Sequence, residues 1–190
     1  MDAIALMIQE HAAIQRMLAV IRKYCYKLLK GEKVEYEDFY KIIDFVRNYA
    51  DKHHHGKEEA ILFNRMTKEL GPTAEKLVKH GMLVEHDLGR LHMQELEAAI
   101  QRVLQGDDMS KLDIIANAIS YTHLLSRHIE KENNVISVVL GQYRENQLIY
   151  KGHVTLGVSS EDFRIMAAQK TLDFPPFLET PPGNENAVWI

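Results

Sequence analysis

The sequence predicts an all-α protein: an antiparallel up-down-up-down four-helix bundle followed by an irregular C-terminal extension containing a short helix. Three observations predict it. Four runs of roughly 25 to 35 residues carry apolar side chains at the helical spacing of about 3.6. The breaks between them are short and built from helix-stopping residues, Gly31, Gly71-Pro72 and Gly106-Asp107-Asp108; long helices on short connections specify antiparallel neighbours. After Gly141 the pattern lapses into a tail holding Pro175-Pro176 and Pro181-Pro182-Gly183, composition that marks irregular structure.

The first helix is expected from Ala3 to about Leu29. Ile4, Met7, Ile8, Ile14, Leu18, Ile21, Cys25 and Leu28 form its stripe, and His11 points with them. Gly31 is placed to end it. The second runs from Tyr36 to Leu70 with Phe39, Ile43, Val46, Ala50, His54, Glu58, Ile61 and Leu62 inward. Gly56 inside it costs on the order of 1 kcal/mol relative to alanine; close packing against a neighbour would explain it. The third, Thr73 to Leu104 with Thr73 as N-cap, carries Leu77, Met82, Leu83, His86, Met93, Leu96 and Ile100. The fourth is capped by Ser110 with Asp113 at the third position and ends at Gly141. It presents Ile114, Ala118, Tyr121, Leu125, His128, Glu132, Val135 and Val139. Residues 1–141 are thus the bundle. Residues 142–190 are the extension, with a loop or hairpin over 142–158, a helix over 159–170, and Phe174, Phe177 and Trp189 packing on the bundle or forming a homodimer contact.

Composition excludes several function classes. With 46% hydrophobic and 26% charged residues among 190, the chain is an ordinary globular domain. Its net charge of −4 offers no electrostatic argument for nucleic acid or an anionic membrane. No apolar run approaches the ~18 residues that span a bilayer. The N-terminus shows an acid and no basic region of a signal peptide, and one cysteine, Cys25, can form no intrachain disulfide. A cytoplasmic location is expected. The unusual number is ten histidines.

Those histidines are placed with regularity. Each helix puts one on its apolar face: His11, His54, His86 and His128. Two of them have a glutamate one turn later, Glu58 after His54 and Glu132 after His128, on the same face. A lone inward histidine is usually a hydrogen-bonded core residue, and a lone His-x-x-x-Glu is usually a surface pair. One per helix with two matched glutamates points instead to a dinuclear metal site. Six nitrogen and oxygen donors are too many for one tetrahedral zinc and suit two higher-coordinate ions, iron or manganese. Without metal, two carboxylates would lie together in a core of low polarity, which is costly. His55 and Glu59 form a competing pair about 100° around the helix; His54 and Glu58 are preferred because they keep phase with Ala50, Ile61 and Leu62. His53, His80, His92, His123 and His153 are assigned to the surface or to supporting roles, and Met7, Met82 and Met93 to packing.

At Gln9-Glu10-His11, His54-His55-Gly56-Lys57-Glu58-Glu59-Ala60-Ile61-Leu62-Phe63, Glu85-His86-Asp87-Leu88-Gly89-Arg90 and His128-Ile129-Glu130-Lys131-Glu132-Asn133 the chain resembles the hemerythrin-like family, or HHE cation-binding domain. The likeness covers residues 1 to about 140. It implies a non-haem centre of two Fe ions bridged by two carboxylates and an oxo or hydroxo group, with Mn or Zn as substitutes. The family's oxygen carriers have His-x-x-x-His on the third helix; here the flanking positions are Met82 and Arg90, so that histidine is missing. Glu132 also stands where the carriers use an aspartate one residue further on. The pattern is closer to a four-histidine, two-glutamate branch that includes sensors and iron-centre repair proteins. The Cys-containing domain of the repair proteins is not seen here.

The resulting expectation is a di-iron protein that binds or senses O2, NO or iron, with Glu58 and Glu132 as bridges. The alternative is an enzyme that detoxifies peroxide or nitric oxide or repairs iron clusters. Tyr121, two turns before His128, is a candidate hydrogen-bond donor to a bound ligand, although a core role is the commoner one. Arg90 is placed to pair with Glu58 or Glu132 or to close the cavity mouth. Which histidine serves which ion stays open.

Overall fold

The computed structural model describes the backbone of residues 3–149 and the side chains of residues 6–134. The extension from residue 150 onward, with His153, Phe174, Phe177, Trp189 and the helix expected at 159–170, lies outside the described residues.

Helix α1 is Ala3–Leu29. Helix α2 is composite: Tyr36–Phe45 is α-helical, Val46–His55 and Glu58–Leu62 are π-helical, and Phe63–Leu70 is α-helical. Helix α3 begins at Pro72–Leu77, passes through a π turn at Val78–Met82 and continues as Leu83–Leu104. Helix α4, Lys111–Ile149, follows a single 3-10 turn at Asp108–Ser110. The apolar stripes thus fold as the four helices their spacing predicts.

The ends differ in detail from expectation. Helix α4 passes through Gly141, because one glycine costs a helix only about 1 kcal/mol and does not by itself break it. Helix α3 starts at Pro72, not at a Thr73 cap. Gly71 takes φ 71°, a conformation open to glycine, and Pro72 fills the first position, where its missing N–H costs nothing. Ser110 does not serve as the expected N-cap of α4: its hydroxyl donates to Asp107 at 2.7 Å and accepts from Arg102 at 2.8 Å.

The unexpected feature is the π-helical hydrogen bonding. Gly56 N–H reaches the carbonyl of Asp51, Phe63 that of Glu58, and Leu83 that of Val78, each five residues back. Wide turns of this kind collect at functional sites, and here the first of them contains the histidine run. Close packing does not account for Gly56. A Cβ built on Gly56 meets only the Asp51 carbonyl oxygen, at 3.8 Å, an ordinary contact. Its φ of −58° is helical. Gly56→Ala is therefore expected to stabilise the protein by about 0.5–1 kcal/mol, read as a higher urea midpoint; a loss of stability would show that the π turn itself requires glycine.

The four helices close a ring, α1 against α2, α2 against α3, α3 against α4 and α4 against α1. Two apolar clusters fill it. The larger includes Ile14, Met17, Ile21, Phe39, Ile43, Leu96, Ile114 and Leu125. The smaller comprises Met7, Leu62, Phe63, Met66, Ala74, Val78 and Met82. Along α1, α2 and α3 the inward histidine lies between a residue of one cluster and a residue of the other: Met7–His11–Ile14, Ala50–His54–Leu62, Met82–His86–Met93. A polar layer is thus enclosed between two dry ones. Among the described residues no helix is long and apolar enough to cross a membrane.

Candidate metal centre

That polar layer contains all six residues singled out in the sequence. His11, His54, Glu58, Glu132, His86 and His128 are each no more than 2% exposed. Their donor atoms fall into two groups within metal-sharing distance: His11, His54, Glu58 and Glu132; and His55, Glu58, His86 and His128. Glu58 belongs to both groups, and Glu132, of the first, also faces His128 of the second. Glu58 turns Oε1 to His54 Nε2 at 3.6 Å and Oε2 to His86 Nε2 at 3.5 Å. Glu132 turns Oε2 to His11 Nε2 at 3.3 Å and Oε1 to His128 Nε2 at 3.1 Å. Each glutamate offers one oxygen to each group.

His55 is the residue that sequence reasoning missed. Phase in a uniform α-helix admits His54 and excludes its neighbour, but His55 is only 4% exposed and its ring stacks on that of His86, centroids 3.8 Å apart. The π-helical segment that ends at His55 brings both rings inside. The second helix thus brings two histidines to the layer, where the third brings one. A signal was present in the sequence: Asp51 lies one turn before His55 and faces its Nδ1 at 3.4 Å.

The histidines are held by a relay that runs around the bundle. Glu10, next to His11 on α1, accepts from His54 Nδ1 on α2 at 2.8 Å. Glu59, next to Glu58 on α2, accepts from His86 Nδ1 on α3 at 2.7 Å. Glu85, next to His86 on α3, accepts from His128 Nδ1 on α4 at 2.9 Å. Asn133, next to Glu132 on α4, accepts from His11 Nδ1 on α1 at 2.8 Å. An imidazole that donates from Nδ1 to an oxygen has its orientation and tautomer fixed, with Nε2 left as a lone pair. His86 Nε2 and His128 Nε2 lie 3.1 Å apart.

Electrostatics sharpen the picture. The buried atoms His11 Nε2, His54 Nε2, both nitrogens of His55 and all four carboxylate oxygens of Glu58 and Glu132 find no hydrogen-bond partner among the described residues. Unsatisfied buried polar atoms cost about 1–3 kcal/mol each, and here they converge. Burial, and then the charge of Glu132, push the Glu58 carboxyl well above its ordinary range. Glu132 is also buried, but His11 and His128 beside it hold it well below that range. Burial lowers His55 to about 4 and His86 to about 3, helped by the neighbouring imidazoles. Burial would lower His128 too, but Glu132 and Glu85 beside it hold it above its ordinary value. Buried imidazoles and a carboxylate pair short of positive charge are what divalent cations complete. Five nitrogen donors and two carboxylates, with no thiolate, fit two ions of the iron or manganese kind.

The remaining expectations resolve individually. Arg90 pairs with neither Glu58 nor Glu132. It bonds Asp51, Glu59 and Asp87 at 2.7–2.9 Å, because its exposed position on α3 faces the outer flank of α2. The Tyr121 ring lies against Gly89, one turn from His86, and its buried hydroxyl has no partner among the described residues. His53 supports the layer, its Nε2 3.0 Å from Glu10. His80 and His123 are exposed and His92 is half-buried beside Asn117. Lys57 was not singled out; it is 2% exposed and bonds Glu10. Met7 and Met82 belong to the smaller apolar cluster and Met93 to the larger.

A family model described as the hemerythrin HHE cation binding domain matches residues 2–139. Neither the curated proteins nor the solved structures gave a match.

Proposed function

The chain belongs to the hemerythrin HHE cation-binding family, and from that premise we propose that it holds two iron ions and uses them to bind or sense a small diatomic ligand, O2 or NO. The observation that carries this reading is the division of the Glu58 and Glu132 oxygens, one to each histidine group. Ferrous ions held there would supply open coordination positions and electrons for such a ligand. The residues do the rest. His55, His86 and His128 serve one position with three imidazoles, whereas His11 and His54 serve the other with two. The position with fewer protein donors has the more room for a small ligand. The apolar clusters on either side exclude bulk water and favour small uncharged molecules over ions. A reducing cytoplasmic setting accords with ferrous iron and with the single free thiol of Cys25.

The test is anaerobic loading of the metal-free chain with Fe(II), followed by O2 or NO. Two irons per chain are expected, with charge-transfer bands of a bridged diferric pair after oxidation. The spectrum should change on adding either gas and recover when the gas is removed. Catalytic consumption of peroxide or nitric oxide would move the reading to an enzyme. Fewer than two irons, or a spectrum indifferent to both gases, would overturn it.

A further inference from the structure

We infer that the two metal positions are secured by separate cation–carboxylate–histidine relays, Arg90 serving one and Lys57 the other, so that either position can be weakened alone. The inference rests on the dinuclear reading above and adds residues outside the donor set to it.

Arg90 acts at the three-histidine position. Its Nη2 reaches Asp51 Oδ1 and Glu59 Oε1, both at 2.7 Å, and its Nε reaches the same Asp51 oxygen at 2.9 Å. Those two oxygens are the ones that face the ligand rings. Glu59 Oε1 accepts from His86 Nδ1 at 2.7 Å, and Asp51 Oδ1 lies 3.4 Å from His55 Nδ1. One planar guanidinium fork therefore fixes both the acid that orients His86 and the acid that faces His55, a geometry that an ammonium cannot copy.

Lys57 acts at the two-histidine position. It is buried, an uncommon state for a lysine, and donates to Glu10 Oε1, while Glu10 Oε2 accepts from His54 Nδ1 at 2.8 Å. The other histidine of that group, His11, is oriented by the neutral Asn133. Lys57 is thus the internal countercharge of the Glu10 carboxylate that faces His54. Neither cation bonds an acid of the other's relay among the contacts described. Outer partners of this kind set ring orientation and ligand basicity, and their loss costs about 10–100-fold in metal affinity.

Equilibrium dialysis of the full metal-free chain against Co(II) tests this, with far-UV circular dichroism to confirm folding. Two bound ions are expected for the unaltered chain; fewer would overturn the dinuclear reading and this inference with it. His11→Ala should keep one ion, at the three-histidine position. In that background Arg90→Gln should weaken the remaining ion about 10–100-fold, with Arg90→Lys intermediate, while Lys57→Met should leave it unchanged within about twofold, as for independent sites. The Arg90→Lys comparison stands if Arg90→Gln does not fold. Equal weakening by the Arg90 and Lys57 variants, no weakening by either Arg90 variant, or loss of both ions in His11→Ala, would each overturn separate relays.

Discussion

Glu58→Gln is expected to remove metal binding at both positions while leaving the metal-free protein at least as stable as the parent. The two halves of this expectation have one cause. Glu58 gives one oxygen to each histidine group, so its loss strikes both ions at once. The fall in affinity should exceed about 100-fold at each, since even outer partners cost 10–100-fold. Without metal the same carboxylate is a burden: it is fully buried beside Glu132, neither oxygen has a hydrogen-bond partner among the described residues, and burial and the Glu132 charge force it toward the protonated form. Glutamine has the same shape and no charge. Glu132→Gln should behave differently in the metal-free chain, because His11 and His128 face the Glu132 oxygens and hold that group ionised. Metal content after dialysis and the urea midpoint of the metal-free variants read both effects. A Glu58→Gln chain that retained one ion at parental affinity would refute the bridging role.

The contrast between what the sequence made legible and what it did not follows the physics of each element. Burial stripes repeat at a fixed angle, so the four helices and the inward histidines His11, His54, His86 and His128 could be read from spacing alone. His55 could not, because the reading assumed the same angular step at every residue. Five-residue hydrogen bonds in α2 change that step where it matters. The orienting residues were hidden for another reason. Glu10, Glu59, Glu85 and Asn133 each stand beside a donor residue in the chain, yet each serves the histidine of the next helix. Only the ring order of the helices reveals the pairing. Lys57 fell out of view because a lysine is read as solvated unless its partner, here Glu10 more than forty residues earlier, is already known to be buried with it. The same logic turns Arg90 from a lid into an outer clip.

Stability should depend on pH differently with and without metal. His55 and His86 titrate near 6.5 when unfolded and are lowered by burial to about 4 and about 3 in the folded chain. A lowered histidine contributes stability above its unfolded pKa and loses it as pH falls from about 6.5 toward the folded value, because the unfolded chain takes up the proton first. Asp51, which burial would raise but His55 and Arg90 hold near 2, adds its own loss below about pH 4. Glu58 works the other way: its raised pKa makes the metal-free fold lose stability as pH climbs above about 4.5. The metal-free protein should therefore be most stable in mildly acidic to neutral solution and should lose a few kcal/mol, roughly 10 °C in Tm, between pH 6.5 and 4.5. Metal removes the alkaline arm, since a bound cation needs Glu58 ionised and the imidazoles neutral. At about a thousandfold excess over Kd each ion adds about 4 kcal/mol, so two should raise Tm by more than ~15 °C at pH 7.5. That gap should close toward pH 5 as protons displace metal from the same atoms. Thermal melts with chelator and with Co(II), from pH 5 to 8, measure it. A gap of constant size across that range would mean that the ions are held by groups other than this buried His/Glu layer.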